Sequence, residues 1–275
     1  MNGYRGTTEI IGATSKTYQL NQLDVNKTIT VEVRYTDNYG TQELVTYVST
    51  ATVGNENDVP IGKPTITGST QQNAMLTANT LGLITDEDGL PNSSTFIYTW
   101  YRTLNTTTTI IKEVEGDAGA TYVLQQADVG YKIAVSVDYK DALNASYERV
   151  TSDPTNIIAN VNDSPGGTVF IGGTVTQYET LTANADGIID VDGKPDISTF
   201  TYQWYRGTTL IDGATGSTYA LTQADVNKQV KVAVTYIDGY NKEETVMSAL
   251  TAPVANVNDG PTGSVGITGA EYKQG

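Results

Sequence analysis

Oxygen-bearing side chains recur beside a proline in three short segments of this chain, Asn55–Pro60, Asn160–Pro165 and Asn256–Pro261. Carboxylate and amide oxygens are the ligands that Ca²⁺ takes in proteins, in a flexible geometry. We therefore predict cation sites at these segments, which contribute the same ligand types in each copy: Asn55, Asn57 and Asp58; Asn160, Asn162 and Asp163; Asn256, Asn258 and Asp259.

Further carboxylates lie in loops that a β-sandwich would bring to the same end as these segments. In such a fold the loops after the second and sixth strands return to the end where the chain enters. So many carboxylates in one place repel each other unless a hard cation joins them. The alternative is that Asp-x-Asp-Gly is an ordinary turn. The predicted ligands from these loops are Asp86, Asp88 and Asp141 in one repeat and Asp190, Asp192 and Asp238 in the next.

A third group of aspartates lies in the turn before the sixth strand, at the opposite end of each repeat and close to the following linker. These residues are Asp24, Asp128 and Asp225. We include them as candidate ligands, with a turn cap as the alternative, because an aspartate side chain also closes local backbone turns.

The elements that position these residues follow from the apolar pattern, which predicts an all-β chain. Residues 228–236 alternate apolar and polar side chains, as a half-buried strand does, and residues 29–35 and 133–139 repeat the pattern. About seven strands in about 100 residues, with a tryptophan on the third, indicate an immunoglobulin-like sandwich. Trp100 and Trp204 would then fill the cores in place of a disulfide. The strands predicted for the third repeat are 167–172, 180–186, 199–206, 208–211, 217–221, 228–237 and 243–254.

The recurring segments also predict the domain boundaries. We assign residues 1–60 to the C-terminal part of one repeat, 61–165 and 166–261 to two complete repeats, and 262–275 to the first strand of another. Because Tyr4–Gly6 aligns with Tyr205–Gly207, we expect this chain to be a window from a longer repetitive protein. Head-to-tail pairing of the two partial repeats would still lack the equivalent of Thr180–Trp204, which includes a core strand.

The amino-acid composition argues against several classes of function. The chain has no cysteine and no histidine, and its formal net charge is −15. Disulfides and thiolate metal sites are therefore excluded, and the usual catalytic bases and nucleophiles are missing, so we do not expect an enzyme. An acidic chain disfavours nucleic acid and anionic membrane surfaces as partners, and no apolar run is long enough to insert into a bilayer.

Several recurring segments resemble the tandem immunoglobulin-like and cadherin-like repeats of giant bacterial surface proteins, including RTX-type adhesins. The resemblance rests on the Val-Asn-Asp-x-Pro linkers, the Tyr-x-Trp-Tyr-Arg strands and the Gln-Ala-Asp-Val turns. The linkers are also similar to the calcium-binding linkers of cadherins. Here Asn55, Asn160 and Asn256 stand where cadherins have a first aspartate, which removes a charge.

This resemblance implies a rod of sandwich domains with Ca²⁺ at the joints, secreted to the cell surface. Its function would be that of a non-catalytic extender in an adhesin or filament, with neighbouring repeats and laterally associated copies as partners. The alternative is a multivalent array that binds carbohydrate or protein. An array predicts a shared exposed aromatic patch, whereas here the loops 104–116 and 207–213 differ while the linkers match.

Overall fold

The fold is described from a computed structural model that covers residues 1–141 and 146–266. The chain folds into two compact units, Met1–Val161 and Asn162–Gly275. The regular elements of the described residues are β-strands and short 3₁₀ helices, and none of these helices is long and apolar enough to cross a membrane. The predicted first strand of a further repeat, at 262–275, lies outside the described residues from 267 onward.

The strands are numbered in chain order. The first unit contains β1 Asn2–Arg5, β2 Thr8–Glu9, β3 Ile29–Thr36, β4 Gln42–Thr46, β5 Ile61–Gly62, β6 Thr65–Thr67, β7 Met75–Asn79, β8 Ile84–Thr85, β9 Ile97–Leu104, β10 Thr107–Glu115, β11 Thr121–Val123, β12 Lys132–Tyr139 and β13 Glu148–Thr151. The second unit contains β14 Gly166–Gly167, β15 Phe170–Gly172, β16 Thr180–Asn184, β17 Ile188–Ile189, β18 Thr201–Arg206, β19 Thr209–Leu210, β20 Thr218–Ala220, β21 Val230–Ile237 and β22 Glu243–Met247. The 3₁₀ helices are Gln22–Asp24, Ser93–Thr95, Asp117–Ala120, Gln126–Asp128, Ile197–Thr199 and Gln223–Asp225.

The second unit is a two-sheet sandwich. A four-stranded sheet in the order β19-β18-β21-β22 faces a three-stranded sheet in the order β15-β16-β20, and all pairings are antiparallel. Trp204 of β18 is fully buried in a core that includes Leu181 from the opposite sheet and Val232 from β21. Its indole stacks on Tyr219 at a centroid distance of 5.6 Å and donates from Nε1 to the Gly216 carbonyl at 2.9 Å.

Most of the first unit repeats this architecture. The sheets β10-β9-β12-β13 and β11-β7-β6 enclose a core around Trp100, which stacks on Tyr122 and donates to the Gly119 carbonyl at 2.8 Å. Residues 104–116, which the sequence led us to expect as a loop, instead contain the long edge strand β10. These two sandwiches confirm the predicted all-β fold of tandem immunoglobulin-like domains.

The remaining part of the first unit is a single four-stranded sheet in the order β2-β1-β3-β4. Its inward positions Ile29, Val31 and Val33 are only partly buried. At the matching positions of the second unit, Val230, Val232 and Val234 have no exposed surface.

The strand predictions for the third repeat are confirmed in place for all seven elements, with three differences. The single strand predicted over 167–172 is divided into β14 and β15, which belong to different sheets. Ile188–Ile189 forms the short strand β17, which pairs with β14 and was not predicted. The last strand was predicted to run to 254 but β22 ends at Met247, because the ladder with β21 ends there and residues 249–253 run on as an irregular segment. The repeat boundaries and the rod stay predictions.

Candidate cation site and its linker anchors

Three carboxylates converge at one end of the complete sandwich in the first unit. Asp86 follows β8, Asp141 follows β12 and Glu148 begins β13. One oxygen from each lies within 4.8 Å of the others. The hairpin register places Glu148 opposite Tyr139, which directs its side chain toward the loop that carries Asp86. Two of the three, Asp86 and Asp141, are predicted ligands.

Hydrogen bonds hold this cluster in place. The Tyr139 hydroxyl donates to Asp86 Oδ2 at 2.7 Å, and the Asp88 amide donates to Asp86 Oδ1 at 2.9 Å. Glu148 is only 8% exposed, and its Oε1 accepts from Asn57 Nδ2 at 2.8 Å. Its Oε2 is buried and receives no hydrogen bond from the described residues. A buried carboxylate oxygen without a donor is costly unless a cation or proton compensates it.

The electrostatics of the cluster reflect this crowding. Burial and the contact with Asp86 raise the pKa of Glu148. Burial also opposes the charge on Asp86, but bonds from Glu148 and Tyr139 outweigh it and lower the pKa of Asp86. In the absence of a cation, a proton therefore resides on Glu148 more readily than on Asp86. A divalent cation bound between the two carboxylates would take the place of this proton and compensate the charges of both Glu148 and Asp86.

Asp88 anchors the linker. It is 4% exposed, its Oδ2 accepts from the Asp58 amide at 2.9 Å, and its Oδ1 accepts from Gln22 Nε2 at 2.9 Å. Gln22 also donates to Asn55 Oδ1 at 3.3 Å. The 3₁₀ helix Gln22–Asp24 therefore connects the preceding sheet, through the Arg5–Asp24 ion pair, to the linker and the Asp88 loop, through Gln22.

We expect Gln22→Ala to lower the free energy of unfolding of the first unit by about 1–2 kcal/mol, because it leaves a buried, charged Asp88 oxygen without this donor. Urea denaturation in chelator measures the loss. Gln19→Ala, an exposed glutamine on the segment leading to the same helix, is the control and should change stability by less than about 0.5 kcal/mol. Equal effects of the two variants would contradict the anchor.

The second unit repeats the tyrosine, linker-amide and asparagine contacts of the first. The Tyr236 hydroxyl donates to Asp190 Oδ2 at 2.6 Å, and the Asp163 amide donates to Asp192 Oδ2 at 2.7 Å. Asn162 Nδ2 donates to Glu244 Oε1 at 2.8 Å, as Asn57 does to Glu148. Asp238 Oδ1 accepts from the Tyr240 and Lys242 amides at 2.8 Å, while its buried Oδ2 has no donor among the described residues.

The remaining linker residues are less engaged. Asn160 Oδ1 is buried and accepts no hydrogen bond from the part of the chain that the structure describes. Asn256, Asn258 and Asp259 are exposed. Asp259 accepts from the Tyr178 hydroxyl at 2.8 Å and from Gln177 Nε2 at 3.4 Å.

The aspartates of the turn before the sixth strand have roles inside their own domains. Asp225 accepts from the Thr222 amide at 2.7 Å, from the Tyr219 hydroxyl at 2.8 Å and from Arg206 Nε at 2.7 Å. The matching aspartates cap the same turn and face the same Tyr and Arg partners, and none joins the three-carboxylate cluster: they are Asp24 with Arg5 and Tyr18, and Asp128 with Arg102 and Tyr122. This is the turn-cap alternative, so we leave these three out of the cation site.

Sequence reasoning missed Glu148, Glu244 and Gln22. A usable signal was present, because a glutamate recurs on the last strand at Glu43, Glu148 and Glu244. A glutamate on a strand is ordinary, however, and only the hairpin register shows which one faces the Asp-x-Asp loop.

No protein-family model and no curated protein matches this chain. Similar solved structures include the full ectodomain of mouse nectin-like molecule 4, at 12% identity and a TM-score of 0.29, covering 74% of this chain and 68% of that one. A marsupial T cell receptor is also similar, at 12% identity and a TM-score of 0.24, covering 70% of this chain and 99% of that one. The fold follows from the strand pairing described above, and these two proteins add nothing on function.

Proposed function

We propose that this chain is a non-catalytic structural extender in a large extracellular surface protein, and that Ca²⁺ bound at the linker end of each sandwich stiffens it. The observation that carries the proposal is the convergence of Asp86, Asp141 and Glu148 within 4.8 Å. Glu148 contributes a buried oxygen without a donor among the described residues and is bonded to the linker through Asn57. The cluster and the linker are thus parts of one hydrogen-bonded assembly.

The chemistry of the cluster fits a hard divalent cation. All candidate ligands are oxygens, and three carboxylates exceed the charge that a buried site holds unaided. A bound Ca²⁺ would neutralise these charges and replace the proton on Glu148. Residues of the chain itself position the ligands. Tyr139 and the Asp88 amide orient Asp86, and Asn57 bonds Glu148 to the linker.

The repetition of these contacts supports an extender more than an isolated binding site. Tyr236, Asp190, Asp192 and Asp238 would form the corresponding site in the second unit, with Glu244 bonded to Asn162. The linker contacts recur at the first two linkers, whereas among the described residues the convergence of three carboxylates is found in the first unit. We place the protein at the cell surface, where extracellular calcium is abundant, with neighbouring repeats and laterally associated copies as partners.

The test is thermal unfolding of the whole chain in chelator and in millimolar calcium. For a dissociation constant on the order of 10⁻⁴–10⁻³ M, about 10 mM calcium, which is roughly 10 to 100 times that constant, should stabilise each occupied domain by about 1.5–3 kcal/mol. Terbium binding gives a direct readout, because Tyr139 lies beside Asp86 and can transfer excitation energy to the ion. Calcium should then quench the terbium emission by competition.

Glu148→Gln separates the cation site from an ordinary acidic turn. It should leave the stability in chelator unchanged or higher, because glutamine keeps an oxygen acceptor for Asn57 and cannot repel Asp86, yet abolish the response of the first unit to calcium. Glu87→Gln makes the same charge change at an exposed position of the Asp86 loop and should preserve the response. A calcium response of the first unit that survives in Glu148→Gln, or is absent from the unmodified chain, would overturn the proposal.

A further inference from the structure

The first unit covers the outer edge of strand β11 with two of its own side chains. β11 is an edge strand beside β7, so alternate residues direct their backbone carbonyls outward from the sheet. Lys112 Nζ donates to the Thr121 carbonyl at 2.6 Å and to the Ala118 carbonyl at 3.1 Å. Gln125 Nε2 donates to the Val123 carbonyl at 2.7 Å. An ammonium group and an amide N–H therefore complete this edge.

Strand β20 of the second unit is the counterpart of β11. Each of the two strands carries the tyrosine that stacks on the core tryptophan of its domain. Counted from that tyrosine, three residues of the second unit match the three whose carbonyls accept these donors in the first unit. They are Thr215, Thr218 and Ala220, in the order of Ala118, Thr121 and Val123.

Neither donor is present at this second edge. Ala214 takes the place of Lys112, because its carbonyl accepts from the amide of the core tryptophan at 3.0 Å and Lys112 pairs with the core tryptophan of the first unit. Thr222 takes the place of Gln125, and its hydroxyl donates to Asp225. The three matching carbonyls of the second unit belong to exposed residues and receive no hydrogen bond from the described residues.

An open groove of about 480 Å³ lies along this edge. Its lining includes the three residues with open carbonyls, together with Ala214 and Asp212. Asp212 is exposed and forms no ion pair with any residue that the structure describes. Arg206 also lines the groove, but its guanidinium is bound to Asp225 at 2.6 Å. The groove therefore offers acceptors and a negative charge to a cationic donor.

We propose that this groove binds a lysine residue of an extended peptide, with its ammonium on the Thr215 and Thr218 carbonyls and its main-chain N–H on the Ala220 carbonyl. Carbonyls of alternate strand residues lie about 7 Å apart, and the flexible four-carbon stem of a lysine spans this distance from its own amide. The first unit places the same two donor types on the matching acceptors. Asp212 and the formal net charge of −15 also attract a basic peptide. Binding there does not require calcium.

The experiment is titration of the unmodified whole chain with Nα-acetyl-lysine N-methylamide, followed by amide NMR. We expect saturable shifts of the Thr218 and Ala220 amides. The Thr121 and Val123 amides should not move, because the carbonyls of that edge already have donors, and they give an internal control. The norleucine analogue lacks the ammonium and should bind about tenfold more weakly. n-Butylamine lacks the main-chain amide and should bind several-fold more weakly, and equal binding by it would overturn the assignment to a peptide.

Two exchanges between the units test the site from opposite directions. Ala214→Lys supplies the ammonium from within the chain and should weaken binding of the lysine compound about tenfold. Lys112→Ala uncovers the first unit, so the Thr121 amide should then respond to the compound as well. If either variant does not fold, the comparison of the lysine and norleucine compounds on the unmodified chain decides alone. Absence of shifts at Thr218, equal binding of the norleucine compound, unchanged binding in a folded Ala214→Lys protein, or no response of Thr121 in a folded Lys112→Ala protein would each overturn the proposal.

Discussion

Replacing Trp204 by alanine should lower the free energy of unfolding of the second unit by about 3–5 kcal/mol. Trp204 has no exposed surface, packs against residues of both sheets and satisfies its Nε1 on the Gly216 carbonyl. Alanine removes the largest side chain of the core and leaves a cavity between sheets that cannot collapse. Amide hydrogen exchange of β21 measures the loss within the unit itself.

Tyr205→Ala is the matched control for this substitution. Tyr205 is the next residue on β18, is only partly buried and faces Lys231 outside the core. Its loss should cost about 1 kcal/mol or less. Unchanged exchange protection of β21 in Trp204→Ala would mean that the tryptophan does not hold the two sheets together.

Replacing Asp225 by asparagine should cost the second unit about 3 kcal/mol at neutral pH, because it removes the charge from a buried ion pair. The Asp225 side chain is fully buried, and Arg206 lies 2.6 Å from Oδ1. Burial opposes its charge, but bonds from Thr222, Tyr219 and Arg206 outweigh burial and lower the pKa of Asp225. Urea unfolding of the two proteins at a series of pH values measures the difference.

The pH dependence of this stability difference tests whether the charge of Asp225 causes it. A carboxyl with a depressed pKa in the folded state contributes stability fully above its unfolded pKa of about 3.9 and loses it as the pH falls through the folded value. The gap between the unmodified chain and Asp225→Asn should therefore be widest near neutral pH and shrink below about pH 4. Asp212→Asn, an exposed aspartate of the same unit, should change stability by less than about 0.5 kcal/mol. A gap that stays constant with pH would show that the charge of Asp225 is not involved.

Much of the fold could be read from the chain because its causes are local. Period-two alternation over 228–236, turn residues between short apolar runs, and one tryptophan per repeat are sufficient to predict sandwiches with Trp204 and Trp100 at their centres. Two of the three carboxylates of the cluster could also be predicted, because a β-sandwich returns the loops after its second and sixth strands to one end.

The remaining members of the site depend on register and on contacts between distant segments. Glu148 enters the cluster because β13 pairs with β12 so that Glu148 lies opposite Tyr139. Asp88 anchors the linker because it accepts hydrogen bonds from the Asp58 amide and from Gln22, which is distant along the chain. A one-residue slip of β13 against β12 would turn Glu148 to the other face of the sheet. The sequence by itself therefore determined the strands, the cores and the acidic loops. Only the tertiary structure decided which carboxylates meet, because a side chain's partners are set by how segments pair across the sheets.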